Sequence, residues 1–324
     1  MIALRSIFRP APASSATVPR TSVPAPGVTR PPRSWPGRAS SSQPRERLAA
    51  ALVDGLWQEL HLTPKPGLVD LEDNGSHPDL SLATMERSIV LVGAYLDELG
   101  ASLARGEPLP LQLAIARQAE ARMLRELGTN THKGAIFLGG LLLVARHRAG
   151  SDDERALRAA LAGAAGEIAA ARAPGRTNGA AVRAAFGVGG ILLEAELGLP
   201  SLFEVALPTF RASRARGEDA SAATFRMLAR LMQTVEDTTA LHRCGLAGLA
   251  RLREDGARLE ALLADGAHVA FLRDRNAAYR RMNLTMGGVA DLLGAALGWL
   301  AYRSIDVTVR RGATSTTSAN TIIR

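Results

Sequence analysis

From residue 46 to about residue 302, apolar residues recur at helical spacing, and strand-like alternation is essentially absent. A period near 3.6 places side chains on one stripe of a helix, whereas a strand needs a period of two. Leu, Ala, Arg and Glu dominate and β-branched runs are scarce, so local propensity agrees with the periodicity. Aromatic residues make up only 4% of the chain, so the core volume must come from Leu, Ala and Val. The pattern predicts helices over 46–61, 81–104, 108–127, 133–149, 152–172, 178–197, 219–234, 237–253, 256–264, 267–280 and 285–302. Start and stop signals support several of them: Ser81 and Thr84 ahead of Glu86, Pro110 near a first turn, and Gly128, Gly150 and Gly198 as terminators. No fixed-period repeat indicates a solenoid. The expected fold is all-α, one multi-helix domain of about ten or more helices spanning residues 45–303.

The two ends differ from this body. Residues 1–44 are rich in Pro, Ser, Ala and Arg without hydrophobic periodicity, and are expected to be disordered. Their acid-free, Arg-rich composition is that of an organellar transit peptide. An over-extended start in an Arg/Ala-rich gene gives the same composition, and the frequent prolines favour it. Residues 304–324 are expected to form a loose polar tail, Ser/Thr-rich from Thr314 to Thr321. The net charge of +8 belongs to these ends: residues 1–45 hold seven arginines and no acid, and residues 302–324 hold four arginines with Asp306. The body between them is slightly acidic, which gives it no electrostatic reason to bind nucleic acid. Cys244 is the one cysteine, so no internal disulfide can form, in keeping with a reducing, cytoplasmic setting. No apolar run approaches the roughly 20 residues of a membrane-spanning helix.

Four polar clusters interrupt the apolar body. In the first, Thr63-Pro64-Lys65-Pro66-Gly67-Leu68-Val69-Asp70 is followed by Asn74-Gly75-Ser76-His77-Pro78-Asp79. The flanking prolines exclude a helix and hold Lys65 in a stiff segment, which lowers the entropic cost of presenting a cation to phosphate. Asp70, His77 and Asp79 form an acid–imidazole–acid set that suits Mg²⁺ binding or acid–base work. An ordinary surface loop would use the same residue types. The second cluster, Gly128 to Phe137, sets Asn130, Thr131, His132 and Lys133 at the mouth of an uncharged run, where free N–H groups and the helix dipole favour an anion. A simple N-cap is the plainer alternative. The third, Glu236 to Gly245, has Asp237 at a helix start and places Thr238 with His242, and Thr239 with Arg243, on common faces. Carboxylates there can be caps alone. Cys244 is expected to be a small core residue. The fourth, Asn283 to Leu293, places Asn283, Gly287 and Asp291 on one helical stripe; Asp291 must be paired, ligating or exposed at an edge.

In this order the clusters resemble triphosphoribosyl-dephospho-CoA synthase, the family that makes the prosthetic-group precursor of malonate decarboxylase and citrate lyase. The matching pieces are Pro64 to Asp70, Gly75 to Asp79, Asn130 to Phe137, Asp237-Thr238 with His242-Arg243, and Asn283-Leu284 with Gly287-Gly288 and Ala290 to Leu293. The proline-framed lysine and the Asn-Thr-His-Lys block are the specific ones. The resemblance implies an all-helical enzyme that transfers the triphosphoribosyl group of ATP to the 2′-hydroxyl of 3′-dephospho-CoA and releases adenine. The product is passed towards an acyl carrier protein. It further implies Mg²⁺ with the ATP, Lys65 and Lys133 on phosphate, and Asn130, Thr131, His242, Arg243 and Asn283 among the binding residues. Asp70, Asp79 and Asp237 are then candidates for Mg²⁺ ligation or base work, and His77 and His132 for proton transfer or phosphate contact. The His242-Arg243 pair is closer to the malonate decarboxylase branch.

The chain departs from the family pattern in places. Thr239 stands where Asn is expected, Cys244 replaces Gly, and Met286 and Val289 replace Pro and Ser. Gly189, Leu192 and Leu193 lie before Glu194, in a stretch from Asn178 to Pro200 where the family tends to carry Arg and Gly. Two other readings compete: an ATP-dependent ribosyl or phosphoryl transferase with another acceptor, and a diverged, non-catalytic helical binding protein.

Overall fold

A computed structural model describes residues 43–171, 182, 185–305 and 307. Most of the expected tails, 1–42, 306 and 308–324, lies outside the described residues, as do 172–181 and 183–184. Eleven α-helices and no strand are found among the described residues: α1 (Pro44–His61), α2 (Leu82–Ala104), α3 (Leu109–Leu127), α4 (Lys133–Ala149), α5 (Glu154–Ala171), α6 (Gly190–Glu196), α7 (Leu207–Ala215), α8 (Ala220–Thr234), α9 (Thr238–Leu262), α10 (His268–Met282) and α11 (Gly287–Tyr302). The all-α expectation holds, and most helix ends fall within two or three residues of the predicted ones.

The centre is the crossing of α1 and α11. α11 runs Gly287-Gly288-Val289-Ala290-Asp291-Leu292-Leu293 into an almost wholly buried stretch, and α1 turns Leu48, Leu52, Leu56 and Leu60 against it. The two backbones touch at glycine: a β-carbon on Gly55 would lie 2.3 Å from both the Gly294 carbonyl oxygen and the Gly298 nitrogen. Larger side chains there would separate the helices and every group they carry. α4, apolar on all sides, fills the space between α1, α2, α5 and α11. On the far side of α11, α8 and α9 pack on each other and on α11.

Two differences from the sequence expectation have local causes. Residues 201–215, outside the predicted helices, are helical: a π-helical turn (Ser201–Ala206) leads directly into α7. There the Leu207 N–H reaches back five residues to Leu202, a wider turn that eases the clash of Pro208 with the preceding turn. The expected pair 237–253 and 256–264 is found as two helical segments of α9, but they meet at Gly245 instead, where φ is 61° and ψ is −159°. Of the predicted helix 178–197, only the last turns are described as α6, and Asn178 and Gly179 fall outside the described residues.

Candidate active site

The loop from Leu62 to Leu80 is held by its own carboxylates and by α10. Asp70 accepts the Lys65 N–H on one oxygen (2.8 Å), and the Glu72 and Asp73 N–H groups on the other (2.8 and 3.2 Å). Burial raises its carboxyl while those bonds pull it back down. Asp73 accepts from Gly75 N–H (2.7 Å), Asn276 (2.9 Å) and Arg280 (3.2 Å), and Asn276 takes the Gly67 N–H (3.0 Å).

At the far end of this loop a chain of hydrogen bonds fixes the proton positions. Thr285 is fully buried and donates its hydroxyl to the Gly67 carbonyl (2.9 Å), so it must accept from the His77 Nε2–H (3.0 Å). His77 Nδ1 then carries the lone pair that accepts from Arg243 (3.2 Å). Burial, and next the Arg243 cation, hold the imidazole neutral, at a pKa of about 4. The same guanidinium donates to the Ser76 carbonyl (2.8 Å) and to Asn283 Oδ1 (3.0 Å). Asn283 ends α10 in the left-handed conformation (φ 56°), which turns its side chain back to Arg243. His77, Arg243 and Asn283 are thus brought together with Thr285. Asp79 is exposed and adds a negative charge near His77; His242 is exposed beside Arg243.

A second group lies deeper, where the starts of α4, α9 and α11 meet the end of α1. The Lys65 ammonium is fully buried and donates to the Glu59 carboxylate (2.6 Å) and to the Glu59 carbonyl. Asp237 caps α9, its Oδ1 accepting from Thr239 and Ala240 N–H (2.8 and 2.9 Å). Its Oδ2 accepts the Val289 N–H at the start of α11 (2.9 Å), tying the two helix starts together. Burial raises this carboxyl, against the pull of those three N–H groups. Asp291 takes the Ala135 N–H in the first turn of α4, and it is raised well above the carboxylate range by burial and then by the charges of Glu59 and Asp237. It keeps part of its surface accessible.

His132 stands at the same junction, just before α4. Ser88 spends its hydroxyl hydrogen on the Met85 carbonyl (2.7 Å), so His132 Nδ1 must donate to Ser88 Oγ (2.5 Å). Its Nε2 is therefore a bare acceptor, and no protein group among the described residues hydrogen-bonds it. Burial and the Lys65 charge keep the ring neutral, at a pKa of about 4. Beside it Lys133 is half exposed and pairs with Glu120 (3.2 Å), which Asn130 also approaches (3.5 Å). Asn130 Oδ1 is buried without a partner, and Thr131 faces Met123 (3.8 Å).

The arrangement separates residues that look alike in sequence. Lys65 is sealed inside against Glu59, so of the two lysines assigned to phosphate only Lys133 is accessible at a helix start. Among the described residues no three His, Cys, Asp or Glu side chains are grouped closely enough to hold a metal ion, so Asp70, Asp79 and Asp237 do not form one ligand set. Glu59, Ser88 and Thr285 are site residues that the sequence reading omitted. A signal existed for the first two: Glu59 follows Leu52 and Leu56 on the buried stripe of α1, and Ser88 precedes Val92, Tyr95 and Leu99 on that of α2.

Val289 serves Asp237 through its backbone N–H, which any non-proline residue supplies, whereas Thr239 holds Asp237 with both its N–H and its hydroxyl. Cys244 donates to the Met282 carbonyl (3.2 Å), and burial pushes its thiol up. Glu194 accepts the Ser201 N–H (2.6 Å) at the π-helical turn, and Gly189 donates to Glu236 (3.3 Å).

A profile of the ATP:dephospho-CoA triphosphoribosyl transferase (CitG) family matches residues 45–306. The chain is 37% identical over 265 residues to a probable 2-(5′′-triphosphoribosyl)-3′-dephosphocoenzyme-A synthase of Pseudomonas aeruginosa, covering 78% of this chain and 89% of that protein. Probable synthases of the same name in Azotobacter vinelandii and Pseudomonas putida are 38% and 35% identical over 265 and 267 residues, covering 78% of this chain and 90% and 93% of those proteins. No solved structure matches. The stretch matched contains both residue groups described above, and the chain belongs to the ATP:dephospho-CoA triphosphoribosyl transferase family.

Proposed function

We propose that this protein moves the triphosphoribosyl group of ATP to the 2′-hydroxyl of 3′-dephospho-CoA and releases adenine. The observation that carries this reading is the meeting of three helix starts, those of α4, α9 and α11, around buried acids, with a cation and a neutral imidazole at the mouth. A triphosphate needs positive potential without a deep unpaired charge, and the start of α4 with Lys133 supplies it. Arg243, held by Ser76 and Asn283, adds a second cation fixed in direction. Displacement at the anomeric carbon passes through an oxocarbenium-like state, inverts that carbon, and needs proton transfer at both ends, as in inverting glycosidases. The acids and imidazoles of the junction have protonation states suited to that work.

Mg²⁺ belongs to this reading as the metal of the MgATP substrate, held by phosphate oxygens. Its charge would neutralise the triphosphate on entry. The product serves as the prosthetic-group precursor of an acyl carrier protein, and the adjacent His242 and Arg243 favour malonate decarboxylase over citrate lyase.

The test is to incubate the protein with MgATP, with and without dephospho-CoA, and follow free adenine. Adenine formed only when dephospho-CoA is present supports the reading. ADP or phosphate instead points to a transferase with another acceptor, and no turnover to a binding protein.

A further inference from the structure

α11 carries one acid in an otherwise uncharged run from Gly287 to Tyr302, and no described cation pairs with it. The fold makes room for it at a backbone: a β-carbon on Gly134 would lie 1.8 Å from Asp291 Oδ2, so the carboxyl occupies the space that any other residue at 134 would fill. The Ala135 N–H holds it there. A capping aspartate accepts from several free N–H groups, as Asp237 does with three. Asp291 takes one, and part of its surface remains accessible at the junction.

We propose that Asp291 is the catalytic acid that protonates the departing adenine. The proposal rests on the triphosphoribosyl transfer argued above. In the step, the bond from the anomeric carbon to adenine breaks with its electron pair on the base, and the Asp291 proton passes to a ring nitrogen. The dephospho-CoA 2′-oxygen bonds to the anomeric carbon from the opposite face, its proton passes to a base on that face, and exchange with solvent returns a proton to the Asp291 carboxylate. The net result moves the hydroxyl proton to adenine, with no oxidant or reductant.

The charged and titratable groups around Asp291 fit this role. Glu59 from α1 is engaged by Lys65, Asp237 at the start of α9 is fixed by N–H groups, His132 before α4 is neutral, and Lys133 is paired outward with Glu120. Burial, and then the two acids nearby, push the Asp291 carboxyl up, and the one cation there is already taken by Glu59. An acid shifted in that direction, placed at the junction by the Gly134 notch, is what a leaving base requires.

The experiment compares Asp291→Asn with the parent protein on ATP and on ATP methylated at N7 of adenine, whose cationic base leaves without a proton. Asn fills the same space and removes a buried acid, so the variant should fold at least as stably. With ATP, kcat should fall by about 10²–10⁴-fold. With the N7-methylated substrate the two proteins should agree within about threefold, which a merely structural role would not produce. A normal kcat on ATP overturns the proposal, as does an equal loss on both substrates. The parent pH profile gives an independent check: kcat should fall on the alkaline side as Asp291 loses its proton, and the same alkaline fall persisting in Asp291→Asn would contradict the assignment. If the parent protein releases no adenine with dephospho-CoA, the transfer itself is wrong; if it does and Asp291→Asn matches it, only the acid is.

Discussion

Two polar groups sit a short chain distance apart and solve opposite problems. The outer one, Arg243–His77–Thr285–Gly67, has one partly exposed cation, from which hydrogen bonds run through His77 and Thr285 to the Gly67 carbonyl. The inner one, Glu59, Lys65, Asp237, Asp291 and His132, packs three acids against one buried cation at the starts of three helices. A hydrogen-bonded relay whose one charge is partly exposed costs little and fixes geometry. Buried like charges are expensive and shift protonation. The difference assigns positioning to the outer group and proton chemistry to the inner one.

The largest expected effect tests the inner group. Lys65→Met leaves the Glu59 carboxylate buried without its partner and should lower unfolding free energy by about 3–5 kcal/mol. Glu59→Gln combined with Lys65→Met should recover much of that in urea melts. Recovery would show that charge pairing, rather than phosphate contact, is what Lys65 supplies to the fold.

Next comes the notch under Asp291. Gly134→Ala sets a methyl group against the carboxyl and should cost about 1–3 kcal/mol. Shrinking the acid in the same chain with Asp291→Gly should relieve the clash, and a double variant no better than the single would break the link between α4 and α11.

The outer relay should respond more weakly and with a definite sign in pH. His77 and His132 have folded pKa values near 4 against an ordinary 6.5, so the unfolded chain binds more protons between those limits. Their contribution is complete above about pH 6.5 and is lost as pH falls towards 4. His77→Gln, which keeps one hydrogen bond, should cost about 1 kcal/mol at pH 7 and flatten part of that acid loss. An unchanged acid slope would mean that His77 is not held neutral.

Lys133→Ala is the smallest change for stability, within about 0.5 kcal/mol, because its ion pair with Glu120 is half exposed. Its effect belongs to ATP use: the KM for ATP should rise several-fold with kcat nearly kept. Normal ATP dependence would remove Lys133 from the phosphate site.

Much of the fold was legible because period and propensity agree along the chain. The π-helical turn and α7 were hidden by Pro200 and Pro208, since a proline reads as a break until a wider turn accommodates it. The break in α9 was placed about ten residues late because Gly245 looks like any glycine in an Ala-rich helix. At the site, the clusters around Lys65, His132, Asp237 and Asn283 stood out as polar residues next to helix starts or ends. Which of them are buried was not visible, because it depends on distant chain: Ser88 meets His132 across 44 residues and Thr285 meets Gly67 across 218. Lys65 is the clearest case, a lysine framed for display by prolines and then sealed by Glu59.

The most direct test of the whole account is the stoichiometry of one reaction mixture. With MgATP and dephospho-CoA, mass spectrometry should find adenine and a triphosphoribosyl adduct of dephospho-CoA in equal amounts, with no ADP. Adenine without the adduct, or an adduct lacking the three phosphates, would contradict it.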